Sequence, residues 1–88
     1  MHKLIFAKHV EKMLEKLRKK DKKNFETIIK HLENLTQNPK YIGKPLTNNL
    51  AGLWSYRSSQ FRIIYQIEEN DLLVFVIEIE HRKNVYDK

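Results

Sequence analysis

The chain has 88 residues, a formal net charge of +6 at pH 7 and no cysteine. This length corresponds to one domain with one modest core, and we expect residues 1–88 to form it. The lack of cysteine excludes a disulfide framework and a thiolate metal site. Because no apolar run is long enough for a signal peptide or a membrane-spanning helix, we expect a soluble, cytoplasmic protein.

Positive charge is concentrated in the N-terminal half of the chain. Residues 1–44 hold 12 basic and five acidic side chains, whereas residues 45–88 hold five basic and six acidic ones. Such a lysine-rich surface attracts RNA, ribosomes or an acidic protein without selecting among them. Exposed helices also carry lysine simply for solubility, so charge alone leaves the function open.

The first half of the sequence predicts a short strand and a pair of helices. Residues 3–6 are typical of a strand, and apolar side chains at helical spacing predict a helix over residues 8–19. Asp21 is suited to cap a second helix, which ends at Asn38-Pro39. The two apolar stripes predict an antiparallel hairpin, and residues 39–52 predict an irregular loop.

The last third predicts a three-stranded antiparallel meander, giving an α+β fold. Its strands are expected at Leu53–Arg57, Phe61–Ile67 and Leu72–Ile79. Alternation then assigns the side chains that should pack under the helices: Trp54, Tyr56, Phe61, Ile63, Tyr65, Ile67, Leu73, Phe75, Ile77 and Ile79. The same parity places Arg57, Arg62 and Arg82 on the face that the helices leave open.

This register pairs two arginines across neighbouring strands. With Trp54 and Tyr56 on the apolar face, Arg57 lies opposite Arg62, and like charges so placed destabilise a sheet. Either the acids of that face, Glu78 and Glu80, relieve the repulsion, or an anionic ligand does. The first alternative is an arginine–glutamate lattice with a structural role, and the second is an anion site.

Four segments resemble the RelE/ParE superfamily of bacterial and archaeal toxins. They are residues 44–52, whose sequence is similar to the YoeB-like branch, and residues 52–57, 61–65 and 80–86. The resemblance covers the whole chain and implies a microbial-RNase-like fold, in which an N-terminal strand and a two-helix hairpin pack on an antiparallel sheet. It also implies a ribosome-dependent endoribonuclease that cuts messenger RNA in the A site, and an acidic, RelB-like antitoxin as partner.

The resemblance implies a catalytic group made of Arg62, Arg82, Tyr86 and His81. Arg62 matches the strand arginine that contacts the scissile phosphate, and Arg82 matches the arginine that stabilises the developing charge. Tyr86 matches the tyrosine near the nucleophile or leaving group, although phenols are poor bases at neutral pH. His81 carries an imidazole, which suits proton transfer, but parity directs it to the helix side.

The substrate-binding residues implied in the same way are Arg57, Lys44 and Lys83. Attack by the ribose 2′-hydroxyl needs neither metal nor cofactor, and we expect neither. RelE proper has two lysines on the strand before the arginine, where this chain has Leu53 and Ser55, so the general base of that branch is missing. Two alternatives are a ParE-like inhibitor of DNA gyrase and a weakened homologue that only binds an antitoxin.

Overall fold

Helices cover one face of a five-stranded sheet in the computed structural model, which describes residues 2–58 and 60–81. The strand order is β1-β5-β4-β3-β2, and only β1 runs parallel to its described neighbour. The elements are β1 (Lys3–Phe6), α1 (Lys8–Lys20), α2 (Lys22–Gln37), α3 (Pro39–Ile42), β2 (Lys44–Pro45), a 3₁₀ turn (Asn48–Leu50), β3 (Trp54–Ser58), β4 (Phe61–Glu68) and β5 (Leu73–His81). The predicted α+β class is confirmed, with a mixed rather than purely antiparallel sheet.

Asp21 closes the first helix and opens the second. Its backbone N–H donates to the carbonyl of Leu17 at 2.7 Å, and its carboxylate accepts from the N–H of Asn24 at 3.3 Å. The second contact satisfies one of the donors that every helix start leaves unpaired. The predicted cap is therefore confirmed, and it turns the chain back on itself within one residue.

The core lies between the helix pair and the sheet. Its buried members are Val10, Leu14, Ile28, Leu32, Leu35, Phe61, Ile63, Tyr65, Val74, Val76 and Ile79. Within the described part of the chain, no helix has the length and apolarity needed to cross a membrane. The core therefore packs one face of the sheet against the helices, and the helices do not cover the other face.

The predicted parity of β5 is wrong in its first half. Leu73 and Phe75 were expected under the helices, but Val74 and Val76 are fully buried there and Phe75 is 41 % exposed. The reason is a bulge: Ile64 pairs with Glu78 and Tyr65 pairs with Val76, so Ile77 is an extra residue. A bulge shifts the alternation by one position and moves each preceding side chain to the other face.

The expected irregular loop over residues 39–52 is also partly wrong, because it contains α3, β2 and a 3₁₀ turn. Tyr65 holds this segment in place: its hydroxyl donates to the carbonyl of Pro39 at 2.6 Å. Gly43 lies against the hydroxyl end of the same side chain, since a Cβ built there would be 1.7 Å from the Tyr65 hydroxyl oxygen. The close approach of Gly43 therefore brings Ile42 and Lys44 to the sheet edge.

We expect Gly43→Ala to lower the free energy of unfolding by about 1–3 kcal/mol, because the methyl group overpacks against Tyr65. In a Tyr65→Phe background the nearest clashing atom is removed, so the same substitution should cost less. Denaturant unfolding of the wild type, both single variants and the double variant measures this coupling. Simple additivity of the two costs would contradict the packing described here.

Burial raises the pKa of Tyr65, with a further contribution from nearby Tyr56. The unfolded chain should therefore release the Tyr65 proton first as the pH rises past about 10, and the folded state loses stability above that pH. We expect the free energy of unfolding to fall less steeply in alkali for Tyr65→Phe than for the wild type. Tyr41→Phe is the control, because Tyr41 is exposed and should keep the wild-type slope.

Candidate active site

Three charged side chains lie in one row across the open face of the sheet. Arg57 on β3 pairs with Arg62 on β4, and Arg62 pairs with Glu80 on β5. The register of the β3–β4 hairpin closes at Ser58 and Phe61, so only residues 59 and 60 connect the strands. Such a short connection leaves the pairing little freedom to slip. The predicted opposition of Arg57 and Arg62 is confirmed.

A pocket of about 370 Å³ opens beside this row, at the edge of the sheet. β2 covers β3 only at Trp54 and Ser55, so it stops before Arg57. The pocket is lined by Ile42, Lys44, Ser55, Tyr56, Arg57 and Arg62. Three of these six side chains are cationic, and they come from three different strands. The sequence-predicted residues Lys44, Arg57 and Arg62 are thus brought together around one cavity.

Arg62 is an incompletely paired member of this group. Its Nε is buried and has no hydrogen-bond acceptor in the described part of the chain. Glu80 Oε1 lies 3.8 Å from that nitrogen, which is an ion pair but too long for a hydrogen bond. A buried donor without an acceptor costs roughly 1–3 kcal/mol. An anion entering the pocket would supply the acceptor that Arg62 Nε lacks and a negative charge between Arg57 and Arg62.

Two residues that the sequence did not single out support Arg57 from below. Nδ1 of His31 and Oγ of Ser58 are hydrogen-bonded at 2.5 Å, and the His31 ring meets the edge of Tyr56 with centroids 5.4 Å apart. Ser58 is fully buried. Since Tyr56 and Ser58 flank Arg57 on β3, these contacts tie the strand on both sides of it to α2.

His81 is not brought to the pocket. It pairs with Phe61 and packs edge-to-face on that ring at 4.9 Å, whereas its neighbour Glu80 pairs with Arg62. Adjacent strand residues face opposite sides, so His81 and Arg62 leave the sheet in opposite directions. The parity expected for His81 is therefore confirmed. Arg82, Lys83 and Tyr86 lie outside the described residues, and their roles stay predictions.

Glu80 lies next to the pocket, and its direct pairing with Arg62 was not predicted from the sequence. It was expected only as a counter-charge on the open face, yet it is the direct cross-strand partner of Arg62. Extending the hairpin pairing from the β4–β5 turn would place Ile79 opposite Arg62, and only the bulge at Ile77 brings Glu80 there, so the sequence carried no signal for this pairing. No grouping of three or more metal-ligating side chains occurs within residues 2–58 and 60–81.

The family model for the ParE toxin of the type II toxin-antitoxin system parDE matches residues 4–86. The chain belongs to the RelE/ParE superfamily of toxins. A putative toxin RelE4 from Methanocaldococcus jannaschii is 32% identical over 91 aligned residues, which cover 100% of this toxin and 94% of that protein. The superfamily suggested by the four sequence segments is therefore confirmed.

Solved structures of related toxins share the fold. The toxin-antitoxin complex RelBE2 from Mycobacterium tuberculosis matches with a TM-score of 0.81 and 26% identity, covering 92% of this toxin and 98% of that chain. The archaeal RelE-RelB complex from Pyrococcus horikoshii OT3 matches with a TM-score of 0.71 and 21% identity, covering 92% and 94%. At 21% identity the second likeness concerns the fold alone.

The opposition of Arg57 and Arg62 should make this toxin less stable than a neutral pair would. We expect Arg57→Gln to raise the free energy of unfolding by some tenths of a kcal/mol at low ionic strength, and the gain to shrink as salt screens the repulsion. The stabilisation of the wild type by added inorganic phosphate should weaken in the same variant. Arg18→Gln, which removes an exposed partner of Glu15, should not raise stability.

Proposed function

We propose that this toxin is a ribosome-dependent endoribonuclease that cuts messenger RNA in the A site and so stops translation. The observation that carries the proposal is the cationic pocket, in which Lys44, Arg57 and the incompletely paired Arg62 converge. One phosphodiester fits the charge and the donor geometry of such a group. The related protein described as putative toxin RelE4 supports the same reading. Since ribosomes are its target, its site of action is the cytoplasm.

The proposed reaction uses the ribose 2′-hydroxyl as nucleophile on the adjacent phosphorus. It leaves a 2′,3′-cyclic phosphate and a 5′-hydroxyl end, and no metal-bound water is needed as nucleophile because the nucleophile belongs to the substrate. Negative charge builds on the non-bridging phosphate oxygens, where guanidinium groups stabilise it. Arg62 binds this phosphate, with Arg57 and Lys44 holding the RNA backbone. In the proposal, Arg82 and Tyr86 complete the catalytic group and Lys83 adds a backbone contact.

We expect an antitoxin to be the protein partner of this toxin. Two of the structural relatives were solved as complexes of toxin with antitoxin, including RelE with RelB. The net charge of +6 favours an acidic partner. Covering the pocket with such a chain would block access of RNA to Lys44, Arg57 and Arg62.

Arg62→Ala should reduce cleavage of ribosome-bound messenger RNA by about 10²–10³-fold, because it removes a preorganised donor to the transition state. The matched control is Arg18→Ala, which removes an exposed arginine of α1 and should leave the cleavage rate at saturating toxin unchanged. Sequencing of message ends from a purified translation system measures both. Naked RNA should be cut far more slowly than RNA on the ribosome, and equal rates would contradict ribosome dependence.

The second candidate function is inhibition of DNA gyrase, favoured by the match to the ParE family model. A gyrase inhibitor needs a binding surface but no phosphate chemistry. Growth arrest with DNA damage, intact messages and a fully toxic Arg62→Ala variant would establish this reading instead. A wild-type protein that binds an antitoxin but does not arrest growth would be a weakened homologue.

A further inference from the structure

We propose that Glu80 is the general base that accepts the proton of the attacking 2′-hydroxyl. The inference rests on the proposed nuclease function and supplies the group that it lacks. A base adds about 10²–10⁴-fold to such a reaction. His81 leaves the other face of the sheet, and the positions of the RelE-type lysines are occupied by Leu53 and Ser55.

The position of Glu80 suits a base acting beside a phosphate held by Arg62. The two residues are direct cross-strand partners, with Oε1 and Nε 3.8 Å apart. A ribose 2′-oxygen poised for attack lies about 3–3.5 Å from phosphorus. Glu80, on the neighbouring strand and directly opposite the arginine that binds the phosphate, is therefore within reach of that oxygen. The Glu80 side chain is 36 % exposed, so RNA can approach it.

The weak contact with Arg62 leaves the carboxylate able to act. A hydrogen bond between the two would occupy an oxygen of Glu80 and an N–H of Arg62 together. At 3.8 Å the pair attracts electrostatically without that bond. When a phosphate takes over the guanidinium, Glu80 keeps its lone pairs for the 2′-hydroxyl.

The other two carboxylates of the open face are directed elsewhere. Glu78 accepts from the N–H of Ile79 at 3.2 Å and lies 3.3 Å from Nε2 of His9, at the start of α1. Glu68 lies six residues along β4 from Arg62, or roughly 20 Å away. The charged groups that the described strands place around Glu80 are thus Arg62 opposite it, Arg57 one strand further and Glu78 two residues earlier.

The reaction consumes no reactant other than the RNA, and water only exchanges protons. The O–H bond of the 2′-hydroxyl breaks and its proton passes to Glu80, while the 2′-oxygen forms a bond to phosphorus. The bond from phosphorus to the 5′-oxygen breaks, and the 5′-oxygen takes a proton from solvent water. Glu80 then returns its proton to solvent, so the carboxylate is regenerated for the next turnover.

The test is single-turnover cleavage of ribosome-bound messenger RNA as a function of pH. We expect Glu80→Gln to lower the maximal rate by about 10²–10⁴-fold and to abolish the acidic limb of the rate profile, where a carboxyl base loses activity as it gains a proton. The half-saturating toxin concentration should not rise. Glu80→Asp, which keeps the carboxylate on a shorter chain, should retain the acidic limb at a reduced rate.

The matched control is Glu78→Gln, which removes a carboxylate from the same strand and face and should leave the rate and the pH profile unchanged. Binding of inorganic phosphate to the free toxin provides a readout separate from catalysis. Since Glu80 is a negative neighbour of the pocket, Glu80→Gln should bind phosphate more tightly although it cuts more slowly. A thermal melt of each variant checks that it is folded.

A Glu80→Gln variant with the wild-type rate and acidic limb would overturn the proposal. A slower variant that keeps the acidic limb would also overturn it, because Glu80 would then only position Arg62. The parent function fails differently: a wild-type toxin that does not cut, or an Arg62→Ala variant that cuts normally, would overturn the nuclease site and Glu80 with it. Loss in Arg62→Ala with full activity in Glu80→Gln would overturn Glu80 alone.

Discussion

Arg57 and Arg62 are held opposite each other because packing of the buried face of the β3–β4 hairpin fixes the register of the two strands. Tyr56 pairs with Ile63 and Trp54 pairs with Tyr65 on the side of the helices. A slip of one residue would turn those side chains out of the core, at a cost of several kcal/mol against some tenths for the like-charge contact. Core packing therefore fixes a locally unfavourable arrangement, and an anion is the ligand that would relieve it.

The bulge at Ile77 changes which side chains of β5 face the helices. Before it, Val74 and Val76 face the helices and complete the core, and after it Ile79 takes that role. The buried positions are even-numbered before the bulge and odd-numbered after it. A nearly continuous apolar strand can therefore end with Glu80 on the same face as Arg62. Bulges are common beside functional sites because they redirect side chains without changing the strand order.

The predictable parts of the fold were those determined by local pattern or by a single hairpin. Helix bounds and the Asp21 cap followed from helical spacing and capping preference, and the Arg57–Arg62 register followed from the alternation of apolar side chains. Residues 72–77 are all apolar, so alternation could not say which of Phe75 or Val76 is buried. The contact of His31 with Ser58 spans 27 residues and had no sequence signal. The ordered segment over Tyr65 likewise depends on a contact between distant residues.

Lysines and arginines are divided between the two sides of this toxin. The exposed lysines of α1 and α2 lie on the helix layer, whereas Arg57 and Arg62 leave the sheet on its other face. A single strand of RNA in the pocket neutralises only the second group. A ribosome presents polyanion on several sides at once, so it can meet the helix layer while a message occupies the pocket. This division of charge gives a physical reason why the proposed cleavage should depend on the ribosome.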